Sequence, residues 1–376
     1  MAILRTATNR HPRSPMEQRI MSAPIRPSND TYSPLLSRYI IPYGQRLDKA
    51  KTGHSVIEFL QQCGDPTWLT IEGEDITRSR AVVTLLHGNE PSGVEALFQL
   101  LQRVLSPPVT CHLFIAVVNT ALTRPYFSHR HLPQHRDLNR CFNGPTDDFP
   151  GQLASEIWQA LTELQPEAVV DLHNTSGSGP AFAVSVEDCA IHQAIASLFC
   201  QRMIVTDVRL GALMEKTSTQ MPIVTIECGG AIDPESRQVA LEGLEKFICA
   251  ANVREYSRQD WDVELLHHPC RVIITPQMSL AVAEQAVSGA DITLPGNIEH
   301  HNFGRVLPGT CLAWLQGNDT RAIKVLDGQG IDLTNDYFEN RAGELTPKQP
   351  LKLFMITTNI RIAQSDCLFY LVAAPY

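Results

Sequence analysis

The chain has 376 residues, with 31 Lys+Arg against 40 Asp+Glu for a formal net charge of -9; hydrophobic residues make up 43% and charged residues 19%. This ordinary globular composition excludes a disordered chain or a coiled coil, and the acid excess argues against a general nucleic-acid binder, whose footprint is basic. The length exceeds what one small core organises, so two domains are expected.

In chain order, residues 1–45 read as a loose N-terminal extension. Their first 30 residues carry five Arg with several Pro and Ser and no apolar core, which is not a secretory signal; Met16 and Met21 are alternative starts. From about residue 80 to 250, apolar runs of strand length alternate with stretches of helical period. The strand candidates are Ala81 to Leu86, Cys111 to Val118, Ala168 to Leu172, Phe182 to Val186 and Ile223 to Ile226. The helix candidates are 92–105, 151–164, 189–201 and 234–250, the last with Asp233 as N-cap and Pro234 in the first helical position. The alternation predicts an α/β domain over 46–260, with helices packed on a parallel or mixed sheet. After about residue 265 short β-like runs follow one another: Arg271 to Ile274, Thr310 to Leu315, Ala322 to Leu326, Leu351 to Ile356 and Cys367 to Val372. They predict a smaller, mostly β domain over 261–376. No run of 18 apolar residues predicts a membrane span. The ten cysteines form no C-x-x-C pair, and Cys111, Cys249 and Cys367 sit in apolar runs. Buried, reduced thiols in a cytoplasmic protein are expected.

Three strand ends carry chemistry. The first predicted strand runs into His87-Gly88-Asn89-Glu90, the third into Asp171-Leu172-His173-Asn174, and the last into Glu227-Cys228-Gly229-Gly230. Ligands of open α/β sheets bind outside the carboxyl ends of the strands. If these strands are parallel, His87, Glu90, His173 and Glu227 arrive at one edge. Two His and one Glu are a known ligand set for a catalytic zinc that keeps a position for water. Gly88 would let the backbone bend between the first two ligands. Residues i and i+2 of a strand share a face, so Asp171 can orient the ring of His173. Glu227, with no partner local in sequence, is placed as a general base. Separately, Arg124, Arg130, Arg136 and Arg140 face the single acid Asp137 in the stretch 124–140, a local charge of +3. Guanidinium forks match carboxylates, so this segment reads as an anion-binding loop beside the metal.

The motifs His87-Gly88-Asn89-Glu90-Pro91-Ser92-Gly93, Asp137-Leu138-Asn139-Arg140, Asp171-Leu172-His173-Asn174-Thr175 and Ile226-Glu227-Cys228-Gly229 together resemble the succinylglutamate desuccinylase/aspartoacylase family. The resemblance covers roughly residues 50–250 and extends more loosely to about 358. It implies a zinc-carboxypeptidase-like mixed sheet with flanking helices, and one zinc ion per chain on His87, Glu90 and His173. It implies Glu227 as the base that activates the zinc-bound water and then protonates the leaving amine. Asn139 and Arg140 match the pair that holds a substrate carboxylate. Arg130 and Arg136 compete to polarise the scissile carbonyl, with Arg130 favoured. Tyr337 in Tyr337-Phe338-Glu339 matches a tyrosine that reaches into the site. The family's aspartoacylases carry a further Arg about ten residues before the catalytic Glu; here the region reads Glu215-Lys216-Thr217-Ser218-Thr219, and Lys216 stands in its place. The implied activity is hydrolysis of a small anionic N-acyl amino acid at its amide, with no nucleic-acid or membrane partner. The oligomeric state stays open and a homo-oligomer is compatible. Rival readings are a carboxypeptidase-type peptidase on small peptides and a non-catalytic binding protein.

Overall fold

Four apolar runs dictate the centre of the molecule. In the computed structural model, which describes residues 35–255, 263–317, 320–365 and 367–374, they form strands β3 (Asp75–Thr84), β4 (Val109–Ile115), β5 (Val169–Thr175) and β8 (Ile223–Gly230). β4 and β5 are buried at every position, as expected of strands covered on both faces. The remaining strands of this sheet are β1 (Ser37–Ile41), β2 (Thr67–Ile71), β6 (Phe182–Ser185), β7 (Arg202–Val205) and β9 (Glu264–His267). Their order is β1-β2-β4-β3-β5-β8-β6-β7-β9. β4, β3, β5 and β8 run parallel, while β2 and β6 each pair antiparallel with their inner neighbour, so the sheet is mixed.

Alternation along the strands separates two apolar layers. Val82, Val170, Leu172, Val224 and Ile226 point to one face and pack with the helices Val56–Cys63, Ser92–Leu101, Ala190–Ser197 and Pro234–Cys249. Ala81, Val83, Val169 and Ile223 point to the other, where the helix Phe149–Leu164 lies. That helix starts at Asp148, whose carboxylate accepts from the amide of Gly151, with Pro150 in the first turn. Asp171 and His173 are in step with Val169, and Thr225 and Glu227 with Ile223, so four polar side chains share the second face.

The C-terminal region forms two five-stranded sheets around its own apolar core. Three of its strands matter for the site or for the predicted runs: β10 (Cys270–Ile274), β11 (Leu351–Phe354) and β12 (Phe369–Ala373). This region abuts the large sheet where Phe354 and Val372 pack with Phe182, Ile204 and Leu266. The predicted division is therefore displaced: β9, beyond residue 260, belongs to the large sheet, because its residues pair in register with β7. The extension is also shorter than predicted. Residues 37–41 are the edge strand β1, paired with β2; residues 1–34 and the alternative starts lie outside the described residues. Cys111 and Cys367 are buried, whereas Cys249 is exposed at the last position of its helix. Among the described residues no helix is long and apolar enough to cross a membrane.

Candidate metal and catalytic site

β3, β5 and β8 are parallel neighbours, so their carboxyl ends lie side by side. β5 and β8 pair with His173 opposite Glu227 and Asp171 opposite Thr225. The chain leaves β3 through Leu85, held at φ 60°, and delivers His87 and Glu90 to the same edge. Gly88 is required there for a different reason than bending. Its φ is not positive; a Cβ would lie 2.6 Å from the Thr120 side chain and 2.8 Å from the His129 carbonyl, so the position needs close approach.

Glu90 sits between two imidazoles. Its Oε1 lies 2.9 Å from His87 Nδ1 and its Oε2 2.6 Å from His173 Nδ1. All three residues are buried. One ligand atom from each falls within 4.8 Å of the others. The far side of each ring meets an acid: His87 Nε2 is 2.9 Å from Asp137 Oδ1, and His173 Nε2 is 2.9 Å from Asp171 Oδ2. An acid behind each ring fixes the tautomer that leaves Nδ1 as the ligand. Asn174 locks the strand ends together. Its amide donates to Ser92 Oγ and to the carbonyl of Gly229, and its oxygen accepts from the Ser92 amide.

The electrostatics follow from this packing. Burial alone would raise the Glu90 carboxyl, but His87 and His173 hold it well below the usual carboxylate range. Burial likewise opposes the charge on Asp137, and the hydrogen bond and charge of His87, with Arg130 and Arg140, outweigh it and keep this acid ionised. Burial disfavours a charged His173, yet Asp171 and Glu90 raise it well above an ordinary histidine. Glu227 moves the other way. Burial, with Glu90 adding to it, pushes its carboxyl up to about 7 against the pull of His173, His87 and Arg130. Its Oε2 is buried without a hydrogen-bond partner. A carboxylate shared by two oriented imidazoles, beside an acid with an orphaned oxygen, fits a divalent cation as the missing partner.

The cavity over this cluster has a volume of about 900 Å³ including its open mouth, and His87, Glu90, Arg130, Asn139, Arg140, His173 and Glu227 all line it. Arg130 donates from Nε to Asp137 Oδ2 at 2.9 Å and reaches Glu90 Oε1 at 3.3 Å. Asn139 turns its oxygen to the Leu213 amide at 2.9 Å, and its Nδ2 lies 3.4 Å from His173 Nε2. Three expected substrate contacts stand elsewhere. Arg136 is held in a bidentate pair with Asp148, both contacts 2.7 Å, at the start of the helix Phe149–Leu164, whereas Arg130 lines the cavity. Lys216 lies with Nζ 5.7 Å from the centre of the Trp158 ring and does not line the cavity. Tyr337 packs against the core of the β-rich region with its hydroxyl 3.9 Å from Cys270 Sγ.

Two features escaped sequence reasoning. Asp137 stands in a quoted motif, but nothing in the string assigns it to His87, 50 residues away. The cavity also has a wall of apolar side chains, among them Val184, Ile204 and Phe354. Such residues in strands read as core.

Residues 77–245 match the model of the succinylglutamate desuccinylase/aspartoacylase catalytic domain. No curated protein sequence matches the chain. Among solved structures, the chain is similar to a succinylglutamate desuccinylase/aspartoacylase from Rhodobacter sphaeroides. They share 15% identity over 81% of this chain and 88% of that one, with a TM-score of 0.53. A Shewanella frigidimarina NCIMB 400 protein described under the same family name shares 13% identity over 82% of this chain and 92% of that one, with a TM-score of 0.50. These two likenesses show a common fold, including the β-rich C-terminal region, and the matched segment contains every strand end that builds the cluster. The chain therefore resembles the succinylglutamate desuccinylase/aspartoacylase family, through the catalytic-domain match at residues 77–245.

Proposed function

We propose that the protein hydrolyses the amide bond of an N-acyl amino acid, using one zinc ion held by His87, Glu90 and His173. The observation that carries this reading is the disposition of the two rings. Both present Nδ1 to one shared carboxylate and Nε2 to an acid, and Glu227, with one oxygen buried and unpartnered, lines the same cavity. A zinc ion there would supply Lewis-acid charge and make water more acidic at neutral pH.

The residues of the chain do the rest. Glu227, poised near neutrality, takes a proton from the attacking water as its oxygen bonds to the carbonyl carbon. When the C–N bond breaks, Glu227 returns that proton to the departing nitrogen, giving a carboxylate and a free amine. Arg130 adds positive charge beside Glu90, where the carbonyl oxygen gains negative charge; loss of such a donor typically costs about 10²–10³ in rate. Asn139 and Arg140 take the substrate carboxylate. All ten cysteines are free thiols, which suits a reducing compartment such as the cytoplasm.

The test is a hydrolysis screen of N-acyl amino acids and small peptides on the zinc-loaded full chain, with metal content measured alongside. Cleavage of N-acyl amino acids with about one zinc per chain is expected. Cleavage of C-terminal peptide bonds instead would favour a carboxypeptidase. Absence of bound zinc together with absence of turnover would favour a binding protein.

A further inference from the structure

The family's name points to polyacidic substrates, but the cavity has a different character away from the metal cluster. Among the described residues that line it, Arg130 and Arg140 are the only Lys or Arg side chains. Arg130 is tied to Asp137 and Glu90 in the ligand shell, which leaves Arg140 as the guanidinium for one carboxylate. Beyond it one wall is apolar, while Thr175, Ser176, Thr206 and Thr225 add uncharged hydroxyls to the lining. Val184 comes from β6, Ile204 from β7, and Val208, Leu210 and Met214 from the segment that follows. The β-rich region adds Phe354, stacked with Tyr370 at 6.0 Å between ring centres.

Sheet order places this wall. His87 and Glu90 follow β3, His173 lies on β5 and Glu227 on β8, and β6 and β7 are the next two strands outward. With strands spaced about 4.8 Å apart, the wall extends roughly 10 Å from Glu227 along the sheet. The segment 206–214 is pinned beside Arg140. Gly211, at φ 83°, has no room for a Cβ against the Arg140 carbonyl, 2.6 Å away. The acid that follows that segment, Glu215, repels rather than attracts anions. Glu215 lines the cavity and accepts through Oε1 from the amides of Leu210, Gly211 and Ala212. Arg209, in the same segment, turns its NH1 to the carbonyls of Thr206 and Val208. A second substrate carboxylate carried outward along this wall would meet aliphatic and aromatic side chains, Thr206 and Glu215, with no Lys or Arg among the described lining residues to receive it. An unpaired charge so placed is strongly disfavoured.

Resting on the hydrolase reading above, we infer that the substrate is an N-acyl amino acid with a single carboxylate, held by Arg140, and an apolar substituent that fills the wall from Val184 to Met214. The substituent is either the amino-acid side chain or the acyl group, and the two are separable by ligand choice.

The test measures binding by calorimetry on the full-length Glu227→Gln chain purified with zinc, which separates affinity from turnover. The probes are N-acetyl-L-phenylalanine, N-octanoylglycine, N-acetyl-L-aspartate and N-succinyl-L-glutamate. At least one of the first two should bind tenfold or more tightly than either polyacid, since even one extra methylene in an apolar pocket discriminates by about 10–200-fold; which of the two wins identifies the substituent. Adding Val208→Arg, a half-buried position, should shrink that preference at least tenfold. Equal or tighter binding of a polyacid, no binding of any probe, or an unchanged preference in the Val208→Arg chain would overturn the inference. Failure of the wild-type chain to hydrolyse the probe that binds best would count against the hydrolase reading and leave the binding preference standing.

Discussion

Replacing Asp137 by Asn tests whether the acids behind the rings set metal affinity. Asp137 serves three donors with two oxygens. Oδ1 faces His87 Nε2 at 2.9 Å and accepts from the Asn139 amide at 2.9 Å, while Oδ2 accepts from Arg130 Nε at 2.9 Å. With His87 presenting Nδ1 to a metal, its Nε2 carries the proton and is a donor. An Asn side chain has one acceptor oxygen and one NH2. In either flip its NH2 confronts a donor, His87 or Arg130. Asp171 differs. Its Oδ2 serves both His173 Nε2 and Thr225 Oγ1, and its Oδ1 is buried without a partner. Asn at 171 keeps its acceptor on His173 and buries an unsatisfied NH2, a cost of about 1–3 kcal/mol in stability. Asp137→Asn should therefore weaken zinc about 10–100-fold, read by competition with a chromogenic chelator, with a small change in thermal midpoint. Asp171→Asn should lower the midpoint and change zinc affinity less. Wild-type zinc affinity in Asp137→Asn, or a larger loss in Asp171→Asn, would refute the assignment of Nδ1 as the ligand atom.

Glu227→Gln should keep its zinc and lose about 10²–10⁴ in kcat, the usual worth of a positioned acid–base group; metal analysis beside steady-state kinetics checks both halves. Lys216→Ala and Tyr337→Phe alter groups outside the cavity, and KM should stay within about twofold of wild type by the scale of surface substitutions. Stability should fall on acidification through His112. It is buried, accepts from Trp68 Nε1 at 3.3 Å, and burial lowers its pKa from 6.5 to about 4. The unfolded chain binds that proton first, so the stabilising effect is whole above pH 6.5 and declines towards pH 4, by about 3 kcal/mol in all. Urea titrations of wild type and His112→Gln across this range should show a steeper decline in the wild type.

Much of the site was legible in the string because strands have period two and parallel strands end together. Once the apolar runs ending at Leu86, Leu172 and Ile226 are strands, His87, Glu90, His173 and Glu227 must share an edge, and Asp171 must share a face with His173. The short edge strands gave no such signal: β1 and β9 hold only five and four residues, and their place comes from pairing with β2 and β7. The same limit explains Arg136, Lys216 and Tyr337. Charge, for Arg136, and the family resemblance, for Lys216 and Tyr337, said that each could reach a substrate, but only packing decides whether Arg136 meets Asp148 or a substrate. Local periodicity determined that His87, Glu90, His173 and Glu227 meet at one edge. The apolar wall on β6, β7 and the β-rich region needed the tertiary structure, because a buried aliphatic side chain looks the same in sequence whether it faces a core or a cavity.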